Sequence, residues 1–283
     1  MGAAHRLALA GAAPRYARHL PTCGGGGDVE GAWAALRELC TGAALLGEVL
    51  RPVQTNEPGR LAALLPGLST IAATTRLPLR LLELGSSAGL LLRFDQYRYD
   101  VGGATWGDPA STVCIRADAE GVPPLGPVEV ASRRGCDPNP LDPVADRLLL
   151  LGFIWPDQVE RFKTATATLD LAAQVPTQID AQGAGTWLGE ALADPAPGVT
   201  TVVFHSIMWQ YMPREERRRV RQLINEAGER ASEEAPLARL TFEPHKDPLA
   251  GAELGLTIWP GGQRRPLALC GYHGNPVRWL PDP

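Results

Sequence analysis

Three short stretches of the 283-residue chain carry residue types that do chemistry, and their spacing gathers them at one edge of a sheet. The first is Leu81-Leu-Glu-Leu-Gly-Ser-Ser-Ala-Gly-Leu-Leu-Leu92, an apolar run that enters a turn of small residues. Gly85 and Gly89 let a ligand approach the backbone, and the amides and hydroxyls of Ser86 and Ser87, opening an expected helix, offer hydrogen bonds to an anion. The second is Gln54-Thr-Asn-Glu-Pro-Gly-Arg60, where amide, hydroxyl, carboxylate and guanidinium groups crowd a helix start. Asn56 alone suffices as its N-cap, which leaves Gln54, Glu57 and Arg60 available to a ligand. The third is Phe204-His-Ser-Ile-Met-Trp-Gln-Tyr211, which continues an apolar run, so His205, Ser206 and then Tyr211 emerge near Gly85. A histidine there is an acid, a base or a donor near neutral pH. Serine hydrolysis is a poor reading of the His205-Ser206 pair, because no orienting acid is visible beside it. Tyr272-His-Gly274, with His273, and Glu243-Pro-His245 end later runs and are expected to line the same rim, the alternative for His245 being an exposed loop.

The elements that must position these residues follow from the apolar pattern. Strand-like runs at residues 80–84, 112–116, 175–179, 200–205 and 237–242 alternate with helical stretches, which predicts a parallel sheet covered on both faces. Runs at 253–259 and 266–270 flank Pro260-Gly-Gly-Gln-Arg264 and form a hairpin. The expected fold class is α/β, a Rossmann-like sheet of the class I methyltransferase type closed by a C-terminal hairpin. N-terminal helices precede it, one across residues 28–50 and a second beginning after Asn56. The expected domains are a helical region and partner interface over residues 1–78 and the α/β domain over residues 79–283. Residues 134–142 and 155–158 read as turns and caps, with Asp137 and Asp142 as candidate cleft residues. Arg214, Arg217, Arg218, Arg219 and Arg221, interleaved with Glu215 and Glu216, read as a solvated helix face.

Composition excludes several classes. The chain is 45% hydrophobic and 20% charged with a formal charge of −4, so it lacks the broad basic field that nucleic-acid binding uses. Its five cysteines are scattered and never form a Cys-x-x-Cys pair, which argues against a disulfide framework or structural zinc, and no cluster has metal-ligand spacing. No run approaches the roughly 20 apolar residues of a membrane span and no signal core is visible, so a cytoplasmic protein is expected.

Taken in order, these segments resemble the bacterial family DUF2332. The likeness rests on Gln54-Thr-Asn-Glu57 with Gly59-Arg60, Leu82-Glu-Leu-Gly85 with Ser87-Ala-Gly-Leu90, Arg134-Gly135 with Pro140-Leu-Asp142, Trp155-Pro-Asp-Gln158, His205-Ser206 with Gln210-Tyr211, and His273-Gly274. The resemblance implies a methyltransferase-like fold without implying methyl transfer. Family members usually carry Asn where this chain has Leu91, and a further helical region before the point where this chain begins. With those differences the chain resembles the large subunit of the two-component aziridine-forming enzymes of azinomycin-type biosynthesis. That resemblance implies closure of an aziridine by an internal amine displacing a sulfate ester, without a cofactor. It also implies a substrate on an amino-group carrier protein and a small helical partner subunit. Glu57, Glu83 or His205 would take the amine proton, and Ser86, Ser87 and Arg60 would receive the sulfate. The alternatives are a methyltransferase using S-adenosylmethionine and a catalytically silent scaffold for a partner.

Overall fold

The computed structural model describes residues 1–42, 45–49 and 53–281. It divides into two compact units, one of Met1–Asn56 with Leu141–Gln174, the other of Glu57–Pro140 with Val175–Pro283. This partition differs from a cut at residue 78. Helix Leu61–Thr75 belongs with the sheet, where Gly67 lets Leu240 pack against its backbone, whereas residues 141–174 join the N-terminal helices.

In the smaller unit, helix Gly2–Leu9 packs on helix Arg147–Gly152, a close approach that glycines at Gly2 and Gly152 permit. Ala4, Ala8, Ala13, Tyr16 and Leu20 form its core. His5 is wholly buried and ties the helix down, its Nδ1 bonded to the Ile154 carbonyl at 2.9 Å and its Nε2 to the Thr22 hydroxyl at 2.7 Å. The helix expected over residues 28–50 begins as predicted at Asp28, whose carboxylate caps the Gly31 amide, but ends at Cys40. A short helix follows at Leu46–Val49, and Leu50 of the expected helix lies outside the described residues.

The larger unit is built on an open, mixed sheet. Its strands are β1 (Leu79–Leu84), β5 (Ala119–Glu120), β6 (Val130–Asp137), β7 (Gln178–Ala181), β8 (Thr200–Ser206), β9 (Leu237–Pro244), β10 (Ala252–Trp259), β11 (Arg264–Cys270) and β12 (Val277–Trp279). They lie in the order β5-β12-β11-β10-β9-β8-β1-β6-β7. The run from β7 to β9 is parallel, and β10, β11 and β12 close it as antiparallel neighbours. Connections leave β1 toward β6 on one side and return to β8 on the other, so the strand order reverses between β1 and β8. Ligands of open α/β sheets bind at such a switch point, beyond the carboxyl ends of the strands.

Alternation along the strands assigns the faces. Leu82, Leu84 and Val203 meet helices Ala184–Ala191 and Arg214–Glu229 through Trp187, Leu188, Val220 and Ile224. Glu83, Phe204 and Leu240 occupy one row across β1, β8 and β9 on the opposite face, which helix Leu61–Thr75 covers.

Two expected elements are different. Residues 112–116 do not enter the main sheet. They supply β4 (Cys114–Ala117) of a small second sheet with β2 (Arg98–Val101) and β3 (Ala104–Trp106). The place beside β1 belongs to β6, whose Arg133 and Arg134 disguise it as a polar turn. These arginines are paired, Arg133 with Asp95 and Arg134 with Asp180, each at 2.6 Å. The helix expected after Gly89 is a 3₁₀ segment, Leu91–Gln96. The guanidinium of buried Arg93 donates to the carbonyls of Ala88, Gly89 and Val175, and Tyr97 donates to that of Leu90. Side chains thus satisfy carbonyls that helical amides would otherwise take.

Candidate functional site

Beyond the end of β1 the chain turns through three left-handed residues, Gly85 (φ 68°), Ser87 (φ 51°) and Gly89 (φ 66°). The turn's amides are engaged within the fold. Those of Gly85 and Ser86 both donate to the Cys136 carbonyl, that of Ser87 to the Asp137 carboxylate at 3.0 Å, and that of Gly89 to the Ser86 carbonyl at 2.7 Å. The Ser86 hydroxyl donates to the Glu83 carbonyl, above Gly135, where a side chain would collide with it. Met208 lies across Gly85, and Ile179 against Gly89. The expectation that Gly85, Ser86, Ser87 and Gly89 form an open anion cradle is therefore corrected. Asp137 also accepts the Asn139 amide at 2.8 Å, so one carboxylate ties the ends of β1 and β6 together.

Beside this turn lies a buried polar cluster. Glu83 is 1% exposed, and its Oε2 has no hydrogen-bond partner among the described residues. Burial pushes its carboxyl well above the usual range; a hydrogen bond from Ser86 opposes this, Asp137 adds to it, and Arg93 and Arg60 oppose it. Burial thus favours the protonated, neutral form of the Glu83 carboxyl over the carboxylate. Arg60 is buried as well, with Nη1 donating to the carbonyl and hydroxyl of Ser206 at 3.1 and 3.2 Å and Nε to the Tyr272 carbonyl at 3.2 Å. Glu57, rather than Asn56, caps the turn Pro58–Arg60, accepting the Gly59 amide at 3.0 Å through Oε1. Its Oε2 stands 3.6 Å from Nδ1 of the half-exposed His273. Gln54 and Asn56, both partly buried, belong to the smaller unit. So does Asp142, which accepts the Val144 and Ala145 amides as a turn residue.

His205 does not join this cluster. As neighbours on a strand, His205 and Ser206 project to opposite faces, so they cannot form a nucleophilic pair, and His205 likewise faces away from Glu83. Its imidazole is fully committed. Nδ1 lies 2.6 Å from Glu243 Oε1, which also accepts the amides of Met208 and Trp209; Nε2 lies 3.3 Å from Arg239; and the ring stacks on Trp209 at 5.0 Å. A carboxylate on one side and a guanidinium on the other select the tautomer with its proton on Nδ1. Burial lowers the pKa of His205, against the pull of Glu243. Ile207, the next residue but one, is a β-branched residue at φ 48°, a strained conformation that recurs at functional sites. Tyr211 is 76% exposed and takes no part in either cluster.

Sequence reasoning missed the roles of Arg239, Glu243 and Trp209. A signal was present in Arg239-Leu-Thr-Phe-Glu243, where polar residues alternate with buried apolar ones and so mark one polar face.

An open α/β sheet with a buried polar cluster at its switch point defines the class of protein. Within that class the chain belongs to the DUF2332 family, described as "Uncharacterized protein conserved in bacteria", whose model matches residues 1–279. No curated protein and no solved structure matches it. Among the described residues, no helix is long and apolar enough to cross a membrane.

Proposed function

We propose that this chain is the large subunit of a cofactor-free enzyme that closes an aziridine ring. An internal amine displaces a sulfate ester on a substrate held by an amino-group carrier protein, and a small helical subunit completes the enzyme. The observation that carries this reading is the filled turn after β1, where Met208 lies over Gly85, Ile179 lies against Gly89 and the amides are already bonded. A methyltransferase reading needs that turn open to S-adenosylmethionine. Asp137, whose position at the end of the neighbouring strand suits ribose recognition, has both oxygens taken by backbone amides. These residues do not fit that cofactor.

In the displacement, the amine nitrogen bonds to carbon as the carbon–oxygen bond breaks, sulfate leaves with the electron pair, and one proton is lost from nitrogen. Glu57, buried beside the half-exposed His273, takes that proton. Glu83, a neutral acid with an open oxygen, donates a hydrogen bond to the departing sulfate, and Arg60 supplies a fixed positive charge. Alignment of amine and carbon provides most of the remaining acceleration.

The test pairs two measurements on the chain with and without its small subunit: calorimetric titration with S-adenosylmethionine, and mass-spectrometric detection of ring closure on a sulfated amine. The expected results are no cofactor binding and a ring-closing activity that Glu57→Gln slows by about 10² or more. Saturable micromolar binding of the methyl donor sinks the proposal.

A further inference from the structure

The sheet face that carries His205 also carries a cavity of about 290 Å³, at the small end of ligand-sized sites. Strand register makes its floor. Arg239 of β9 pairs with Thr257 of β10, which pairs with Arg264 of β11, so these side chains leave one face in a row. In the next row Thr241 pairs with Gly255, where any side chain would strike the Arg264 guanidinium and the Thr241 hydroxyl. Arg221, from helix Arg214–Glu229, lies over Trp209 at 5.0 Å, and Arg239 lies over the same ring at 4.9 Å. Arg221 therefore lines a cavity, beyond the solvated-face role its sequence context suggests.

Like charges gathered on one aromatic platform repel one another. Burial first, then Arg221 and Arg264, pushes the Arg239 guanidinium down to about 10. The carboxylates on this face are engaged elsewhere. Glu253 pairs with Arg264, and Glu243 uses Oε1 to hold His205 and two backbone amides. Two buried atoms have no partner among the described residues, Nε of Arg239 and Oε2 of Glu243. The unpartnered Nε of Arg239 in the floor with two more guanidiniums at the rim suits a tetrahedral oxyanion. The open carboxylate oxygen suits a hydroxyl or amine donor on the same molecule.

We propose that this cavity binds a sulfate or phosphate monoester whose organic part carries a hydroxyl or amine. The inference does not rest on ring closure, because its residues lie on the opposite sheet face from Glu83 and include neither Glu57 nor Arg60.

The test is calorimetric titration of the full chain, at constant ionic strength, with 2-aminoethyl sulfate, 2-aminoethyl phosphate, inorganic sulfate, inorganic phosphate and acetate. At least one ester is expected to bind more tightly than its inorganic ion and far more tightly than acetate. Arg239→Met should weaken it by about 30-fold or more, and Arg221→Gln by a smaller factor. The tighter of the two esters names the oxyanion. Should Arg239→Met not fold, Arg221→Gln and Arg264→Gln, whose side chains reach solvent, carry the comparison. Loss of affinity in the arginine variants, whose residues line this cavity and not the cluster at Glu83, assigns the binding here and separates this result from failure of the ring-closure reading. No ester binding, equal binding of acetate, inorganic ions as tight as the esters, or unchanged affinity in the arginine variants overturns the proposal.

Discussion

Replacing Glu83 by Gln tests whether the carboxyl at the switch point is neutral in the folded protein. The side chains are nearly isosteric, so packing of this fully buried group is conserved, and a group that must hold a proton becomes one that is always neutral. In the unfolded chain Glu83 titrates near its ordinary value of 4.5, whereas burial raises it in the fold. Between these two values the folded state binds more protons than the unfolded one, so wild-type stability falls as pH rises. The loss is about 1.4 kcal/mol per pH unit. The glutamine variant has no such dependence, and other titrating groups cancel in the difference. The stability of Glu83→Gln minus that of wild type should therefore climb with that slope from about pH 5 upward, and flatten at the folded-state value. Urea unfolding followed by far-ultraviolet circular dichroism at half-unit pH steps measures it. A difference that stays level between about pH 5 and 7 would mean that Glu83 is ionised in the fold, and would remove it as a donor to the leaving group.

Three other outcomes follow from the same geometry. Gly85→Ala puts a methyl at φ 68° and within 3.1 Å of Met208, so thermal unfolding should show a loss of about 1–2 kcal/mol or more; an unchanged transition would show that Met208 does not fill this turn. Asp137→Ala removes the carboxylate that accepts the Ser87 and Asn139 amides and should destabilise by about 1–3 kcal/mol in chemical denaturation, with Asp137→Asn recovering part of that. His205 should show nitrogen NMR shifts of an Nδ1-protonated ring at neutral pH and titrate below 6.5. The stability this neutral ring contributes is full above that value and lost as pH falls, whereas protons on both nitrogens at pH 7 would refute the assignment.

Much of the architecture was legible because parallel strands buried on both faces leave apolar runs, as Leu79–Leu84 and Thr200–Ser206 do. The hairpin of β10 and β11 was legible from its glycine-rich turn. β6 was not, because Arg133 and Arg134 hide a central position behind ion pairs with residues far along the chain, and sequence distance conceals such partners. The run at residues 112–116 misled for the converse reason: an apolar strand states that it is buried, but not in which sheet.

The candidate site divides in the same way. Glu57, Glu83 and Arg60 were recognisable as polar residues at element ends, yet their ionisation depends on burial, which raises the pKa of the Glu83 carboxyl. His205 and Ser206 were read as one site because they are adjacent, when adjacency on a strand is what separates them. That separation has a structural consequence. The loop Ile207–Tyr211 leaves the end of β8 with Met208 packed on the turn at Gly85 and Trp209 stacked on His205 beneath two arginines. Two consecutive side chains thus contact the two sites, and the Glu243 carboxylate holds both of their backbone amides. A ligand that draws Glu243 Oε2 or Arg239 toward itself must move against the same five-residue loop that fills the turn after β1.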